Sequence, residues 1–397
     1  MKILITSDWY APAVNGVVTS ILNLRRELTA RGHEVRVLTL AEGMHSFEKD
    51  GVYYLGSLDA GLIYPGARLR SLAAGQAVEQ FIRWKPDLVH SQCEFSTFSL
   101  AKRIARAVNA PLIHTYHTVY EDYTHYFSPS RRWGRKLAAA FSRWVLDQTD
   151  GVIAPTEKVR ALLEGYGVSA PVKVIPTGID LDAFSAPLDP EKRAGMRRAL
   201  GIPEGDRVLV YVGRLAREKN LEEVLECRAA LSGNVTLLLV GDGPERAALE
   251  EKAQALGIRD KVVFAGMVAR EKVADYYRLG DVFVSASSSE TQGLTYAEAL
   301  AAGLPALCRA DPCLDGVIQN GCNGWQYQSR EELARRLSEL LADEEELRAM
   351  GGRAAFSAGK FSARRFAQSA EEWYEQALAV KRSPAWAKGA AVWQKAW

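Results

Sequence analysis

The sequence predicts an α/β protein built from two doubly wound domains in tandem. Three observations support this prediction. The chain has 397 residues, more than one hydrophobic core usually organises. Short runs of branched apolar residues alternate with stretches of helical periodicity along most of the chain. This alternation occurs twice, with a stretch rich in Pro and Asp between the two series.

The first series predicts a domain over residues 1–180. Its predicted strands are KILIT, EVRVLTL, DLVHS, PLIHTYH, GVIAPT and VKVIPTG. Such runs fit strands of a parallel sheet that helices cover on both faces. The stretch from Ile179 to Pro190 is the predicted linker to the second series.

The second series predicts a domain over residues 181–361. Its predicted strands are RVLVYVGR, VTLLLVGDG, KVVFAG, VFVSAS and LPALCR. Residues 362–397 begin with a helical pattern up to Ala379, which we expect to cross back toward the first domain. They end in a Trp-rich tail, for which docking, lipid contact and disorder all stay open. The cleft between two such domains is the expected ligand site.

Composition excludes several classes of protein. The apolar fraction of 48% and charged fraction of 25% are typical of a soluble globular protein. No run of 18 apolar residues predicts a membrane span, and the chain enters a strand at once, which predicts no signal peptide. A net charge of +2 argues against nucleic-acid binding. Five cysteines without metal-ligand spacing predict reduced thiols in the cytoplasm.

Several polar residues follow the predicted strands of the second domain, where doubly wound folds bind ligands. VGRLAREKN offers Gly213, Arg214 and Lys219, and VGDGPE offers Gly241. The two cations would supply positive charge to a diphosphate. A purely conformational role explains Gly241 equally well.

The stretch SSSETQGLTYAEALAAG predicts a loop that opens into a helix. Gly293 would let the backbone approach a ligand, and the N–H groups of Leu294 and Thr295 would form an anion site at the helix start. Glu298 lies about 6–7 Å further along the helix axis, where it would accept hydrogen bonds from ribose hydroxyls. Glu290 would reach the other side of the diphosphate, where a sugar would lie.

The segment ETQGLTYAE resembles the E-x7-E signature of family-4 glycosyltransferases, which share the GT-B architecture of two Rossmann-like domains facing a central cleft. GRLAREKN, GDGPE, FAG and NG also stand in the expected order, and the resemblance extends to about Ala379. It implies a nucleotide-sugar donor in the second domain and an acceptor in the first. It also implies that Arg214, Lys219 and Glu290 act in catalysis, with retention of the anomeric configuration.

The first domain should then hold the acceptor. Similar enzymes often have two glycines at the turn found here in YAPAVNGV, so Asn15 departs from their pattern and only Gly16 is expected near the donor phosphates. The resemblance places His117, within HTYHTVYEDYTHY, at the reaction centre. A lone histidine is more often structural. Asp122 and Tyr123 are weaker acceptor candidates.

The expected mechanism is front-face attack, in which the acceptor hydroxyl attacks the anomeric carbon on the side from which the diphosphate leaves. A double displacement would need a carboxylate on the acceptor side, and for this role Glu121 and Asp122 are candidates in principle only. The leaving diphosphate would instead accept the acceptor proton. No DxD motif lies in a suitable loop, which predicts that neither a metal ion nor another cofactor is required.

HTYHTVYEDYTHY and DPCLDGVIQNGCNGW narrow the resemblance to bacterial diacylglycerol glucosyltransferases. This branch implies a hexosyltransferase that uses UDP-glucose and a lipid acceptor at the cytoplasmic face of the membrane. Three alternatives stay open: a phosphatidylinositol mannosyltransferase-like enzyme that uses GDP-mannose, a GT-B nucleotide-sugar epimerase, and a non-catalytic membrane-binding module. The intact Glu290 and Glu298 pair disfavours the last of these. The oligomeric state is not indicated.

A predicted helix in SRRWGRKLAAAFSRWVLD has a pattern typical of an interfacial helix. Its apolar stripe consists of Trp133, Leu137, Phe141 and Trp144. Its basic flank consists of Arg132, Lys136 and Arg143. This pattern predicts contact with an anionic membrane surface. The alternative is that the stripe packs on the first sheet.

Overall fold

A computed structural model describes residues 1–60, 68–70, 74–121 and 130–382. The chain divides into two compact units, of which the second is Ile179–Ser362 and the first combines Met1–Gly178 with the chain from Ala363 onward. Each unit alternates strands with helices around a largely parallel sheet. The predicted α/β class with two doubly wound domains is therefore confirmed.

The first unit is organised around one large sheet. Its strands in chain order are β1 (Lys2–Thr6), β2 (Glu34–Leu40), β3 (Phe47–Lys49), β4 (Val52–Leu55), β5 (Ser57–Asp59), β6 (Arg68–Arg70), β7 (Leu88–Ser91), β8 (Leu112–Thr115), β9 (Gly151–Ala154) and β10 (Val172–Val174). Eight of them form a sheet in the order β10-β9-β8-β7-β1-β2-β4-β3, in which β3 is antiparallel to β4 and the other pairs are parallel. β5 and β6 pair separately.

Helices cover this sheet between the strands. They are α1 (Gly16–Ala30), α2 (Ala74–Trp84), α3 (Ser96–Val108), α4 (Arg131–Leu146) and α5 (Glu157–Gly165). Asn15 is the N-cap of α1, and its Oδ1 accepts a hydrogen bond from the Val18 amide at 2.9 Å. The departure from a second glycine at this turn thus has a physical reason, because Asn is among the preferred N-cap residues.

The second unit has a fully parallel sheet in the described residues. Its strands are β11 (Arg207–Val212), β12 (Val235–Val240), β13 (Val262–Gly266), β14 (Val282–Ser285), β15 (Ala306–Arg309) and β16 (Gly324–Tyr327). Their order is β13-β12-β11-β14-β15-β16. The helices are α6 (Leu181–Ser185), α7 (Pro190–Ala199), α8 (Leu221–Ala230), α9 (Arg246–Ala255), α10 (Arg270–Tyr277), α11 (Leu294–Ala301), α12 (Arg330–Ala342) and α13 (Glu344–Ser357). The predicted linker is thus partly helical, since α6 lies within it.

The last described helix, α14 (Ala363–Arg382), belongs to the first unit. It contacts α1 and buries Phe366, Trp373 and Tyr374 in a core cluster that also contains Ile3 and Ile5. The first unit therefore takes part of its core from the end of the described chain.

Two further findings concern the cysteines and the search for membrane spans. All five cysteines are free thiols, and four of them are buried. In the described ranges, no helix combines the length and the apolar character that crossing a bilayer requires.

Candidate active site

The carboxyl ends of β11, β12 and β14 meet at one edge of the second sheet, which we call the carboxyl edge. Gly213 follows β11, Gly241 follows β12, and the loop after β14 leads into α11 at Leu294. Sequence-predicted residues from three separate motifs are therefore brought to a single edge. In a doubly wound fold this edge is the usual position of a bound ligand.

Gly241 has a conformational reason to be glycine. Its φ is +128°, and a Cβ atom added there would lie 2.0 Å from the carbonyl oxygen of Gly213. The backbones after β11 and β12 thus approach so closely that no side chain fits between them. Gly241 therefore has a conformational role, and its role in donor binding stays a prediction.

Gly293 is the N-cap of α11. Its φ of +71° lies in the left-handed region, and an added Cβ would meet the Tyr296 ring at 2.3 Å. The amides of Leu294 and Thr295 belong to the first turn of the helix, where N–H groups have no intrahelical acceptor. This helix start has the properties of an anion-binding site.

Lys219 and Glu290 form an ion pair that the sequence did not predict. The Lys219 Nζ lies 2.5 Å from the Glu290 Oε1, and the two side chains are only 16% and 18% exposed. Burial by itself would lower the pKa of Lys219, but the Glu290 carboxylate more than offsets it, so the pKa is raised. The lysine therefore stays charged at neutral pH. Arg214, by contrast, has an exposed side chain.

Glu298 lies inside α11 and accepts a hydrogen bond from the Tyr277 hydroxyl at 2.9 Å. Burial raises the pKa of Glu298 to about 6, although the hydrogen bond from Tyr277 opposes this shift. The carboxylate is thus ionised at neutral pH and is held in place from α10. Tyr277 was missed in the sequence, because nothing in its local pattern indicates a partner on another helix.

His117 lies in the first unit, just after β8, within a chain of polar side chains. Its Nε2 lies 2.7 Å from the Gln92 Oε1, and the Gln92 Nε2 lies 3.0 Å from the His90 Nε2. The His90 Nδ1 in turn lies 2.6 Å from the hydroxyl of Tyr374 on α14. The pKa of His117 is lowered to about 4, chiefly by burial; Glu94 opposes this shift and His114 adds to it. His117 is therefore neutral at physiological pH.

A buried carboxylate, Glu94, lies at the end of β7 and was also missed. Its Oε1 is 3.3 Å from the His114 Nε2, and its Oε2 accepts a hydrogen bond from the Tyr120 hydroxyl at 2.8 Å. Burial raises the pKa of Tyr120, and Glu94 adds to this shift. Glu94 is the third residue after the DLVHS strand, and no local pattern indicated its partners.

The other residues singled out in the first unit were Asp122 and Tyr123 for the acceptor, Glu121 as a nucleophile in principle, and Gly16 for the donor phosphates. Asp122 and Tyr123 lie outside the described residues. Glu121 forms an ion pair with Arg135, with 3.6 Å between Oε2 and Nε. Gly16 is the first residue of α1.

The apolar stripe of α4 is largely on the outside of the first unit. Trp133, Leu137 and Trp144 are 66%, 56% and 62% exposed, whereas Ala138 and Val145 are buried. The interpretation that the whole stripe packs on the sheet is therefore wrong, and smaller residues form the inward face. The α4 outer face consists of Trp133, Leu137 and Trp144 and of the exposed basic residues Arg132, Lys136 and Arg143.

Comparison with known proteins identifies the family. The family model described as Glycosyltransferase Family 4 matches residues 14–183, and the one described as Glycosyl transferases group 1 matches residues 192–356. Alpha-monoglucosyldiacylglycerol synthase of Streptococcus pneumoniae is 38% identical over 86% of this chain and 78% of its own length. The chain belongs to the family-4 glycosyltransferases. The enzyme of the same name from Acholeplasma laidlawii is 32% identical over 94% of this chain and 96% of its own length.

Solved structures agree with a glycosyltransferase fold. Sucrose-phosphate synthase from Thermosynechococcus elongatus superposes with a TM-score of 0.75 at 23% identity, covering 96% of this chain and 99% of the other. Anabaena HepE in complex with UDP and glucose gives 0.75 at 19% identity, covering 95% of this chain and all of the other. The resemblance of the E-x7-E segment to family-4 glycosyltransferases is thus confirmed. The prediction that the protein is an enzyme is confirmed as well.

Proposed function

We propose that this glycosyltransferase transfers glucose from UDP-glucose to diacylglycerol, giving α-monoglucosyldiacylglycerol. The observation that supports this best is the similarity of two monoglucosyldiacylglycerol synthases, at 38% and 32% identity, over most of the chain. The carboxyl edge of the second unit supports a nucleotide-sugar donor, because a lysine and a helix start, both of which attract a diphosphate, lie at the same edge. The enzyme is then a hexosyltransferase.

In the proposed reaction, the bond between the glucose anomeric carbon and the diphosphate oxygen breaks. The acceptor hydroxyl forms the new bond on the same face of the sugar, and its proton passes to the departing phosphate oxygen. Lys219, Arg214 and the start of α11 stabilise the charge that develops on the diphosphate. The anomeric configuration is retained, and the products are UDP and the glycolipid.

We assign the two carboxylates of the E-x7-E segment different roles. Glu298, ionised and held by Tyr277, accepts hydrogen bonds from the ribose hydroxyls. Glu290 contacts the sugar, and it also forms the ion pair with Lys219. We further propose that the reaction requires no metal ion, since the lysine and the helix start supply the positive charge. The enzyme is expected to be fully active in excess EDTA, without the addition of any divalent cation.

The α4 outer face supports a membrane location for the acceptor side. Three exposed apolar side chains and three exposed cations on one helix are typical of an interfacial helix. We propose that the enzyme binds peripherally, through this face, to the anionic inner leaflet of the cell membrane. The diacylglycerol hydroxyl would be presented at that surface.

A second candidate is a mannosyltransferase. A GDP-mannose-dependent alpha-mannosyltransferase of Corynebacterium glutamicum is 30% identical over 82% of this chain and 76% of its own length. The test is transfer of label from UDP-glucose, UDP-galactose and GDP-mannose, in parallel, to vesicles that contain diacylglycerol or phosphatidylinositol. Labelled glycolipid from UDP-glucose and diacylglycerol alone is expected. Product from GDP-mannose would favour the second candidate, and absence of any lipid product would favour an epimerase.

A further inference from the structure

A cavity of about 570 Å³ lies at the amino edge of the second sheet, opposite the carboxyl edge. Its lining includes Arg207, the first residue of β11, and Asp281, which immediately precedes β14. A six-residue strand such as β11 spans roughly 20 Å. The cavity is therefore separate from the proposed donor site within the same unit.

The lining combines apolar surface with charge. Phe184, Pro187, Leu188 and Leu347 contribute apolar surface, and the charged lining residues are Arg193, Arg207, Arg278, Arg348, Asp281 and Glu344. Four arginines thus face two carboxylates. The volume lies within the ~300–1,000 Å³ that small-molecule sites usually have.

Two of these arginines are already neutralised by the lining carboxylates. Arg207 lies 3.1 Å from Asp281 and 3.4 Å from Glu344, and Arg348 lies 3.0 Å from Glu344. Of the other two, Arg278 pairs with Asp275, which does not line the cavity, so the cationic excess resides in Arg193.

Arg193 and Arg278 differ in their remaining donor capacity. Arg193 donates to the carbonyl oxygens of Arg278 and Leu279 at 3.3 and 3.5 Å, and none of the described carboxylates forms an ion pair with it. Arg278 pairs with Asp275 at 3.2 Å, but its Nε is buried without a hydrogen-bond partner among the described residues. This Nε is enclosed by protein and its terminal nitrogens donate to Asp275 and to the Ala183 carbonyl oxygen, so Arg193 is the guanidinium that remains available to an anion in the cavity.

We propose that this cavity is a second binding site, which takes a phosphate ester with an apolar portion. Guanidinium groups bind phosphate through charge-assisted and bidentate hydrogen bonds, which Arg193 would supply. The wall formed by Phe184, Pro187 and Leu188 would cover the carbon chain. The ester is either a free small molecule or the headgroup of a lipid, and the proposal does not depend on the transfer reaction.

Octyl phosphate below its micelle concentration is a suitable probe. It is titrated by calorimetry into the full chain saturated with UDP, so that the donor site is already occupied. Saturable binding is expected, and Arg193→Gln should weaken it ~10-fold or more, as for loss of a hydrogen bond to a charged group. The matched control is Arg198→Gln, because Arg198 is exposed on the same helix, α7, and does not line the cavity.

A second variant tests the cavity itself. A Cβ at Gly352 in α13 would meet no atom within 4 Å, so Gly352→Leu extends into the open space. Leucine also favours helix more than glycine does, so the fold is preserved. This variant should abolish octyl phosphate binding while UDP affinity is unchanged.

Vesicles distinguish the two sources of the ester. Binding to phosphatidylcholine vesicles with and without phosphatidic acid is compared between the wild type and Arg193→Gln. If Arg193→Gln loses binding only to the vesicles that contain phosphatidic acid, the ester is a lipid headgroup. If the wild type and Arg193→Gln bind the vesicles equally while octyl phosphate binds the wild type, the ester is a free small molecule. The proposal is overturned if octyl phosphate does not bind the wild type, or if it binds Arg193→Gln and Gly352→Leu as tightly.

Discussion

The carboxyl edge of the second unit holds a cation and an anion in direct contact, Lys219 and Glu290. If the lysine stabilises the leaving diphosphate, Lys219→Ala should reduce kcat/KM with UDP-glucose ~10²-fold or more. Arg217→Ala is the matched control, because Arg217 lies exposed on the same short helical turn. Steady-state transfer assays measure both, and a Lys219→Ala enzyme with wild-type kcat/KM would show that the phosphate site is wrongly placed.

The two glutamates should differ in what they do to donor binding. Glu298→Gln, which removes the ionised carboxylate, should weaken UDP binding ~10-fold or more, since a hydrogen bond to a charged group is lost. Glu290→Gln should leave UDP affinity nearly unchanged and reduce transfer. Calorimetry with UDP separates the two, and equal losses of affinity would contradict this division of roles.

The raised pKa of Glu298 also predicts a pH dependence. Donor binding requires the ionised carboxylate, so UDP-glucose affinity should fall as the pH drops through about 6. UDP-glucose is the appropriate ligand because its diphosphate diester does not titrate in this range. Glu298→Gln should abolish the dependence. A wild-type affinity that is flat between pH 5 and 7.5 would argue against ribose binding by Glu298.

The buried hydrogen bond from His117 to Gln92 makes the pKa of His117 a measurable test of this site. By NMR, the His117 ring should not titrate above about pH 5, because burial holds its pKa near 4. Gln92→Glu places a carboxylate next to the ring and should raise this pKa by ~1–3 units. Titration of wild-type His117 near 6.5 would show that the ring is exposed to solvent.

Most of these residues were predicted from the sequence, but their hydrogen-bond and ion-pair partners were not. Gly213, Gly241 and Gly293 were found because turns after strands leave a local signature. Lys219 and Glu290 were both selected, but their contact joins segments that are 71 residues apart. Gln92, Glu94 and Tyr277 carry no local signal of function, since their roles depend on which strand ends and helices the fold brings together.

At the level of elements, the α4 outer face is the feature with the clearest test. Replacing Arg132, Lys136 and Arg143 with Ser should weaken binding to anionic vesicles by up to about 3 kcal/mol, as each charge near such a surface contributes roughly 1 kcal/mol. Added salt should reduce the wild-type binding, because exposed charges are screened. Vesicle sedimentation measures both effects.

The control for this change is a triple variant of exposed basic residues elsewhere in the first unit, Lys49, Arg83 and Lys173. It should bind vesicles like the wild type, and both triple variants should keep normal UDP affinity. If the α4 variant sediments with anionic vesicles as well as the wild type does, this helix is not the membrane contact.

The same helix shows what a hydrophobic pattern can and cannot predict. The stripe was chosen by its largest apolar side chains, whereas Ala138, Val145 and Leu146 form the buried side. The long strands were predicted because branched residues fill them. Short strands filled by branched residues, such as β9, were predicted as well, whereas β3, β4, β5, β6 and β16 were not. Phe47–Lys49 is fully exposed, and Gly324–Tyr327 begins with a glycine at φ +156°.

At the scale of the whole molecule, α14 is a structural part of the first unit. Trp373 is buried against Gly151 and the β8 residue Ile113, so Trp373→Ala should lower the unfolding free energy of this unit by ~3–5 kcal/mol. Amide hydrogen exchange should accelerate in β1 and stay unchanged in β11, which gives an internal control. Phe356→Ala, at an exposed position of α13, should change neither.

The discontinuity of the first unit also has a consequence for synthesis on the ribosome. The second unit is one continuous stretch, so it can reach its final packing as soon as Ser362 has left the exit tunnel. The first unit emerges earlier, but the core around Ile3 and Ile5 stays incomplete until Trp373 and Tyr374 have been made. The part of the protein that is made first is therefore the part that finishes folding last.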